Sequence, residues 1–336
     1  MNKWVFIVIA GVFVACQKGE IKDDTFVLDY PQGFPTMDIP TDNQLTKSRV
    51  NLGKKLFYET RLSEDSTVSC ASCHVQQLGF AENTVLSAGV HGNTGFRNTP
   101  TLTNIGYAEL FFMDGGVPTL ELQVLAPISN PDEMNLEIPD AVNRMKAIPE
   151  YQKMAQEAYG RDFDAFVLTR AIAAYERTLI SGNSPYDQHF LQGKNVLNAS
   201  ELNGYQLFVD KGCVNCHSGF NFTDNDFHNV GLYQNYTDIG RKRVTTIDAD
   251  EGKFKTPTLR NVELTAPYMH DGSLATLEDV VEFLNTGGEA HPNKSTFIQP
   301  MNLTSQEKTD LVNFLKSLTD TDFVTNEKHG AFYVYN

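Results

Sequence analysis

One pentapeptide pattern occurs twice in the chain, as Cys70-Ala71-Ser72-Cys73-His74 and as Cys213-Val214-Asn215-Cys216-His217. Laid on a helical turn, the thiols at i and i+3 and the imidazole at i+4 fall on one side, because side chains three and four apart are neighbours. Two thiols beside an imidazole suit a haem joined through both vinyl groups by thioethers and ligated from below by the histidine. A redox Cys-x-x-Cys pair needs no following histidine, and no thioredoxin-like strand pattern precedes either copy. A zinc site would gather both pairs as four thiolates and leave both histidines unexplained. The reading is two covalent haem c groups, one on Cys70, Cys73 and His74 and one on Cys213, Cys216 and His217.

The cysteine count agrees. Of five cysteines, the two motifs use four, and the fifth, Cys16, closes an amino-terminal segment with the form of an export signal. Met1-Asn2-Lys3 is its basic start and Trp4 to Ala15 its apolar run, too short to span a bilayer comfortably. Phe13-Val14-Ala15-Cys16 resembles a bacterial lipobox, so residues 1–15 are read as a lipoprotein-type signal and Cys16 as a lipid-bearing first residue of the mature chain. That implies a periplasmic protein tied to a bacterial membrane, where c-type haem is attached. The formal charge of −15 excludes nucleic acid, whose phosphates need a basic partner, and suits a positively charged redox donor.

With 336 residues the chain has room for about two domains, one motif in each. Residues 16–44, rich in Asp, Pro, Thr and Gly, read as a tether followed by an extended arm. A short helix begins near Thr46, with Val50, Gly53, Lys54 and Phe57 on one side. Gly79 to Asn104 reads as a long loop, of the kind that carries function. Asp140 to Tyr159 and Asp162 to Ile180 are helical, and Ser181-Gly182-Asn183-Ser184-Pro185 breaks the pattern as a linker. Domains are thus expected over 45–182 and 183–336. The second opens with a helix over Ser200 to Val209. It later carries Leu277 to Leu284, stopped at Gly287-Gly288, and a last helix opened by the capping box of Thr304 and Glu307. No stretch alternates as a sheet strand does. The expected class is mainly α, two cytochrome c-like haem domains with long loops, with no close repeat beyond the pentapeptides.

The chain resembles the bacterial di-haem cytochrome c peroxidase family, which includes the MauG-like oxidases. The resemblance runs from about Thr46 to Thr319. It rests on both motifs, on Arg97-Asn98-Thr99-Pro100-Thr101, on Phe112-Met113-Asp114-Gly115, on Tyr175-Glu176-Arg177-Thr178-Leu179-Ile180 and on Leu259 to Gly272. It implies that the haem on His74 is the low-potential site where peroxide reacts, and the haem on His217 the high-potential site that receives electrons. It implies Glu133, in Asn130-Pro131-Asp132-Glu133-Met134, as the acid-base group, and Gln123 as the residue that orients peroxide. His91 matches a loop histidine that caps the first iron at rest. A histidine in a glycine-rich loop either ligates or faces water. Asn98, Thr265 and Pro267 match oxygen donors to a calcium ion between the domains.

Two positions depart from the family. The tryptophan between the haems is replaced by Met113, and the sixth ligand of the second haem, a methionine or tyrosine fourteen residues after the histidine matching His270, is replaced by Leu284, which cannot bind iron. Met301 and Met269 are substitutes by residue type. The implied activity is cytochrome-c peroxidase, reduction of hydrogen peroxide to water with electrons from a small cytochrome c or cupredoxin, in a monomer or homodimer. The rivals are MauG-like oxidation of a protein partner, against which the missing tyrosine argues, and a non-catalytic di-haem electron carrier, against which Glu133 and Gln123 argue.

Overall fold

A computed structural model of the chain describes residues 24–336. The expected signal, residues 1–15, and the lipid-bearing Cys16 lie outside the described residues. The class is mainly α, as expected. Among the described residues the sheet is limited to β1 (Phe227–His228) and β2 (Phe254–Lys255), antiparallel with Phe227 opposite Lys255. No helix among them is long and apolar enough to cross a membrane.

Each half is built on one close crossing of two helices. In the first, Lys47–Phe57 starts where the Thr46 hydroxyl accepts from Arg49 N–H, and it packs on Ala165–Glu176, capped by Asp164. In the second, Ala199–Asp210, capped by Asn198, packs on Ser305–Lys316, opened by the Thr304 and Glu307 box. Capping side chains occupy N–H groups that the helix itself leaves unpaired. Both crossings depend on a glycine. A Cβ at Gly53 would lie 1.7 Å from the Ala171 carbonyl oxygen, and one at Gly204 would lie 1.9 Å from that of Asp310. Around the first crossing Leu52, Leu56, Phe57, Phe80, Tyr151 and Phe163 form the larger core, and around the second Phe208, Phe222, Leu311, Phe314 and Leu318 form the smaller.

The expectation of no further repeat is corrected by the fold. Thr99-Pro100-Thr101-Leu102-Thr103-Asn104 and Thr256-Pro257-Thr258-Leu259-Arg260-Asn261 differ at one position, and each ends in an asparagine held at positive φ, 57° and 60°. Next comes Phe112-Met113-Asp114-Gly115 in one half and Met269-His270-Asp271-Gly272 in the other, within turns closed by the bridges Phe111 to Val117 and Tyr268 to Leu274. Thr119 then caps Leu120–Gln123 as Thr276 caps Leu277–Thr286. The repeat escapes a periodicity reading because it lies in turns and loops, which carry no hydrophobic period.

Two further expectations change. The helix expected over Asp140 to Tyr159 is two helices, Ile138–Lys146 and Pro149–Tyr159. Proline removes an amide donor and biases the residue before it away from helix, so Pro149 ends one helix and begins the next. The segment expected as a linker is buried: Ser181 and Ser184 are fully inaccessible. The Asp320 carboxylate accepts from Ser181 Oγ, Gly182 N and Asn183 N at 2.9–3.1 Å. Ser184 then caps a short helix, Pro185–Phe190, whose Asp187 takes a bidentate pair from Arg260 at 2.8 and 3.0 Å, both side chains fully buried. Breaking such a pair by removing one partner costs about 3–5 kcal/mol, since the other charge is left without water.

The halves are also sewn together from both ends. The arm places Phe34 4.7 Å from Phe220 and 6.2 Å from Tyr107. Asn43 is buried and donates to Glu121 at 2.8 Å. The carboxy-terminal segment returns to the first half, where Phe323 and Val324 join the larger core.

Candidate functional site

Both pentapeptides open onto one cavity of about 1240 Å³, lined by Cys70, Cys73, His74, Cys213, Cys216 and His217. That exceeds the usual range of about 300–1,000 Å³ for a site holding one small ligand. Cys70–Cys73 is a turn of α-helix with His74 as its cap, its amide donating to the Cys70 carbonyl at 2.9 Å. In the second copy Cys213–Asn215 is a 3₁₀ turn, and His217 N–H donates to the Cys213 carbonyl at 2.9 Å. His74 Nδ1 lies 2.9 Å from the Phe80 carbonyl and His217 Nδ1 3.0 Å from that of Phe222. Donation through Nδ1 fixes the tautomer and leaves Nε2 with its lone pair, the form that ligates a metal. Burial holds both imidazoles below the usual histidine range, which keeps them neutral.

The donor set fits haem and not zinc. No cysteine of the described residues forms a disulfide. Burial pushes the Cys73, Cys213 and Cys216 thiols up to about 11. The two cysteine pairs do not converge among the described residues: the only metal-like cluster there is Cys216, Asp224 and His228. His228 Nε2 is already 2.8 Å from Asp224 Oδ2. Within the first half's share of the cavity, Glu176 is buried with one carboxyl oxygen unpartnered, and desolvation pushes its carboxyl up to about 8. An orphaned polar atom at a cavity wall is what a cofactor pocket leaves when only the protein is counted.

Gln123 and Glu133 both line the cavity, and the Glu133 charge acts on the Cys70 and Cys73 thiols. Glu133 is exposed at the cavity wall, where Asn130 Nδ2 donates to its Oε1 at 2.7 Å, and desolvation by the surrounding protein holds its carboxyl above its ordinary value despite that bond. Asp132 also lines the cavity, and Glu137 is the exposed residue before the Ile138–Lys146 helix. The Glu133 backbone is locked to the glycine-rich loop. Its carbonyl accepts from Val90 N–H at 2.8 Å, and a Cβ at Gly89 would come within 2.2 Å of the Asp132 carbonyl oxygen.

His91 does not line the cavity. It sits on that loop at φ 59°, exposed, with Nε2 3.0 Å from Glu64 Oε2. Asn98, Thr265 and Pro267 all line the cavity. Asn98 N–H donates to the His270 carbonyl at 2.8 Å, which brings it beside the segment of the other two, but its side-chain amide is occupied with the Thr84 and Val85 carbonyls. Met113 lines the cavity and its carbonyl accepts from Lys255 N–H at 2.7 Å on β2, so it stands where the halves meet.

Leu284, Met301 and Met269 also reach the cavity. Met301 packs against the smaller core, and its N–H donates to the carbonyl of Asn285, the neighbour of Leu284, at 3.1 Å. Sequence reasoning missed Glu176, His228 and the ring cluster around His270. The i, i+4 spacing of Asp224 and His228 was the one available signal; the others are made by folding.

Comparison with known proteins agrees with this geometry. A family model described as di-haem cytochrome c peroxidase matches residues 47–196, and one described as cytochrome c matches residues 202–319. The methylamine utilization protein MauG of Methylorubrum extorquens is 38% identical over 284 residues, covering 83% of this chain and 80% of its own. The cytochrome-c peroxidase IdrP1 of Denitromonas iodatirespirans is 36% identical over 328 residues, covering 86% of each. The cytochrome c551 peroxidase of Nitrosomonas europaea is 37% identical over 273 residues, covering 80% of this chain and 79% of its own. Among solved structures, a MauG-like protein associated with microbial copper homeostasis superposes with a TM-score of 0.87 at 32% identity, covering 92% of this chain and 99% of that one.

Proposed function

Because the chain belongs to the di-haem cytochrome c peroxidase family, we propose that it reduces hydrogen peroxide to water at the first motif with electrons delivered through the second. The observation that carries this is one cavity that both motifs share and that Glu133 and Gln123 line, with Glu133 close enough to Cys70 and Cys73 for its charge to act on both thiols. Bound on Cys70, Cys73 and His74, haem c would supply the iron at which peroxide reacts, and the second haem a store for one of the two electrons.

The remaining work belongs to the chain. The Glu133 carboxylate takes a proton from one peroxide oxygen and returns it to the other as that oxygen leaves as water, general acid-base catalysis that contributes about 10²–10⁴ in rate. The Gln123 amide orients peroxide by hydrogen bonding. Asn130 holds Glu133 in place, and the desolvation that raises its carboxyl brings its proton affinity nearer to working pH. Two electrons and two protons convert one peroxide to two waters. To ligate the first iron, His91 would have to leave Glu64. Because its loop is bonded to the Glu133 backbone, capping and the placement of Glu133 are coupled.

Met301 would supply the thioether that Leu284 cannot to the second haem, and a methionine ligand would raise its potential. Asn98, Thr265 and Pro267 hold calcium, with hard oxygen donors. Domains run over 45–182 and 183–336, after a tether and arm over 16–44. The chain is exported to the periplasm, held by lipid on Cys16, and served by a small cytochrome c or cupredoxin.

The test is Glu133→Gln. Both haems and their optical spectra are retained and peroxide turnover falls about 10²–10⁴-fold, while Asp132→Asn and Glu137→Gln stay near normal. Turnover in the parent falls as pH is lowered through a value above the ordinary 4.5 of a glutamate, because the base is then protonated. Near-normal turnover in Glu133→Gln would reject the assignment.

A further inference from the structure

The second half carries a set of aromatic rings that the peroxidase reading does not use. Phe254 stacks on His270 at 3.9 Å and 15°, and both line the cavity. Thr256 N–H donates to the Asp226 carbonyl at 2.9 Å and Thr223 Oγ1 to the Thr256 carbonyl at 2.7 Å, so the strand bearing Phe254 is bound to the loop that follows His217. Tyr236 is 8% exposed, also lines the cavity, and lies 6.2 Å from His270. Its ring is 5.7 Å from that of Tyr233, which is 37% exposed. Tyr233 also lies 6.3 Å from the His270 ring itself, so the two phenols connect the cavity wall to solvent within one ring-to-ring step.

Their hydrogen bonds differ in a way that gives the pair a direction. Tyr236 Oη donates to the neutral Asn229 amide oxygen at 3.0 Å and accepts from Leu232 N–H. Tyr233 Oη donates to the Asp271 carboxylate at 2.5 Å. A phenol loses an electron at accessible potential only if its proton leaves too. Asp271 can take that proton along the existing bond, whereas the Asn229 amide cannot. An oxidising equivalent that reaches Tyr236 thus settles on Tyr233. The chain's single tryptophan, Trp4, lies outside the described residues, so no indole competes within them.

Resting on the peroxidase reading, we propose that Tyr233 is a redox-active surface residue, linked through Tyr236 to the haem cavity, at which small phenols serve as one-electron reductants. An electron passes from Tyr233 by way of Tyr236 to the cavity, and the phenolic proton moves to Asp271. A phenol at the surface then gives an electron to the Tyr233 radical, Asp271 returns its proton, and the phenol's own proton goes to solvent. Two such events balance one peroxide: two phenols and hydrogen peroxide yield two phenoxyl radicals and two waters. The bland account is that Tyr233 and Asp271 merely latch the 230–240 loop.

The experiment mixes the di-haem protein with peroxide, without a protein donor, and freezes it within milliseconds for EPR, with guaiacol oxidation measured in parallel. A tyrosyl signal is expected in the parent, and Tyr233→Phe should lose both that signal and at least tenfold in guaiacol oxidation. Tyr233→Trp should recover guaiacol oxidation with an indole radical, which a latch would not do. Peroxide consumption with a reduced small cytochrome c should be unchanged in Tyr233→Phe, which separates failure of this site from failure of the peroxidase reading. A tyrosyl signal and guaiacol rate that persist in Tyr233→Phe, or no radical in the parent, overturn the proposal. So does loss of cytochrome-driven consumption in Tyr233→Phe, which would put the residue on the main path.

Discussion

The two halves share a frame and differ in what that frame holds over its pocket. Gly53 and Gly204 close equivalent helix crossings, His74 and His217 are oriented by the carbonyls of Phe80 and Phe222, and the Thr-Pro-Thr-Leu-x-Asn turns end on buried Asn104 and Asn261. Along the segment that follows, Met113 corresponds to His270, and Gln123, three residues after Leu120, to Val280, three after Leu277. The first half adds Glu133, and the second adds Leu284 and Met301. Backbone and packing thus place two equivalent motifs, and on the proposed reading the few side chains that differ would set whether a haem held there does proton chemistry or only passes electrons. The same frame serves both because orienting the histidine uses main-chain carbonyls, which any sequence supplies.

The largest expected effect comes from emptying one frame at a time. Cys73→Ala and Cys216→Ala should each lose one covalent haem equivalent by mass and by haem-stained denaturing gel. The first should abolish peroxide turnover outright. The second should leave peroxide reacting once with pre-reduced protein but end steady-state turnover with a donor. Identical behaviour of the two variants would erase the functional distinction between halves.

The next effect tests the shared frame. Gly53→Ala and Gly204→Ala each push a methyl group into a facing backbone carbonyl, overpacking that typically costs about 1–3 kcal/mol and occasionally more. Both should lower the melting temperature by similar amounts. A variant as stable as the parent would show that its crossing is looser than its partner.

A smaller effect falls on the second half alone. Met301→Leu should remove the near-infrared charge-transfer band of a thioether-ligated iron and lower the second haem's potential, with Glu133-dependent chemistry intact. An unchanged band would return the ligand to Met269 or to water.

The smallest effect near neutral pH, where it vanishes, appears only in acid. His329 is 5% exposed beneath Phe80, and burial holds its imidazole down to about 4, from an ordinary 6.5. A depressed folded value means that the unfolded chain takes the proton first. The stability it contributes is whole above about 6.5 and is lost as pH falls toward 4, to the order of 3 kcal/mol. Each half also carries a motif histidine, His74 or His217, held low by burial, so what sets the first half apart in acid is His329. Replacing His329 by Gln should flatten that dependence; an equally steep loss of stability would reject the attribution.

Much of this was legible in the linear chain. The spacing within Cys70 to His74 and Cys213 to His217 already dictates thiols and imidazole on one side of a turn. The caps at Thr46 and Thr304 and the stop at Gly287 mark helix ends, because these are local chemistries of a few neighbouring residues. The proline that split the helix at Pro149 was equally local and was overridden by an apolar spacing that ran across it.

Other features depend on residues far apart in sequence, and only folding brought them together. Nothing in Ser181 to Pro185 announces burial, which comes from Asp320 arriving from the far end of the chain. Nothing local separates a ligating His91 from a solvent-facing one, a choice made here by Glu64. The meeting of both motifs in one cavity, the orphaned oxygen of Glu176 and the path from Tyr236 to Tyr233 likewise arise from long-range packing. The chain by itself determined which residues can hold two haems, since that rests on spacing within a turn. Which motif lies near Glu133, and which rings lie between the cavity and the surface, was decided by tertiary structure, because those relations are distances between segments that the sequence order does not encode.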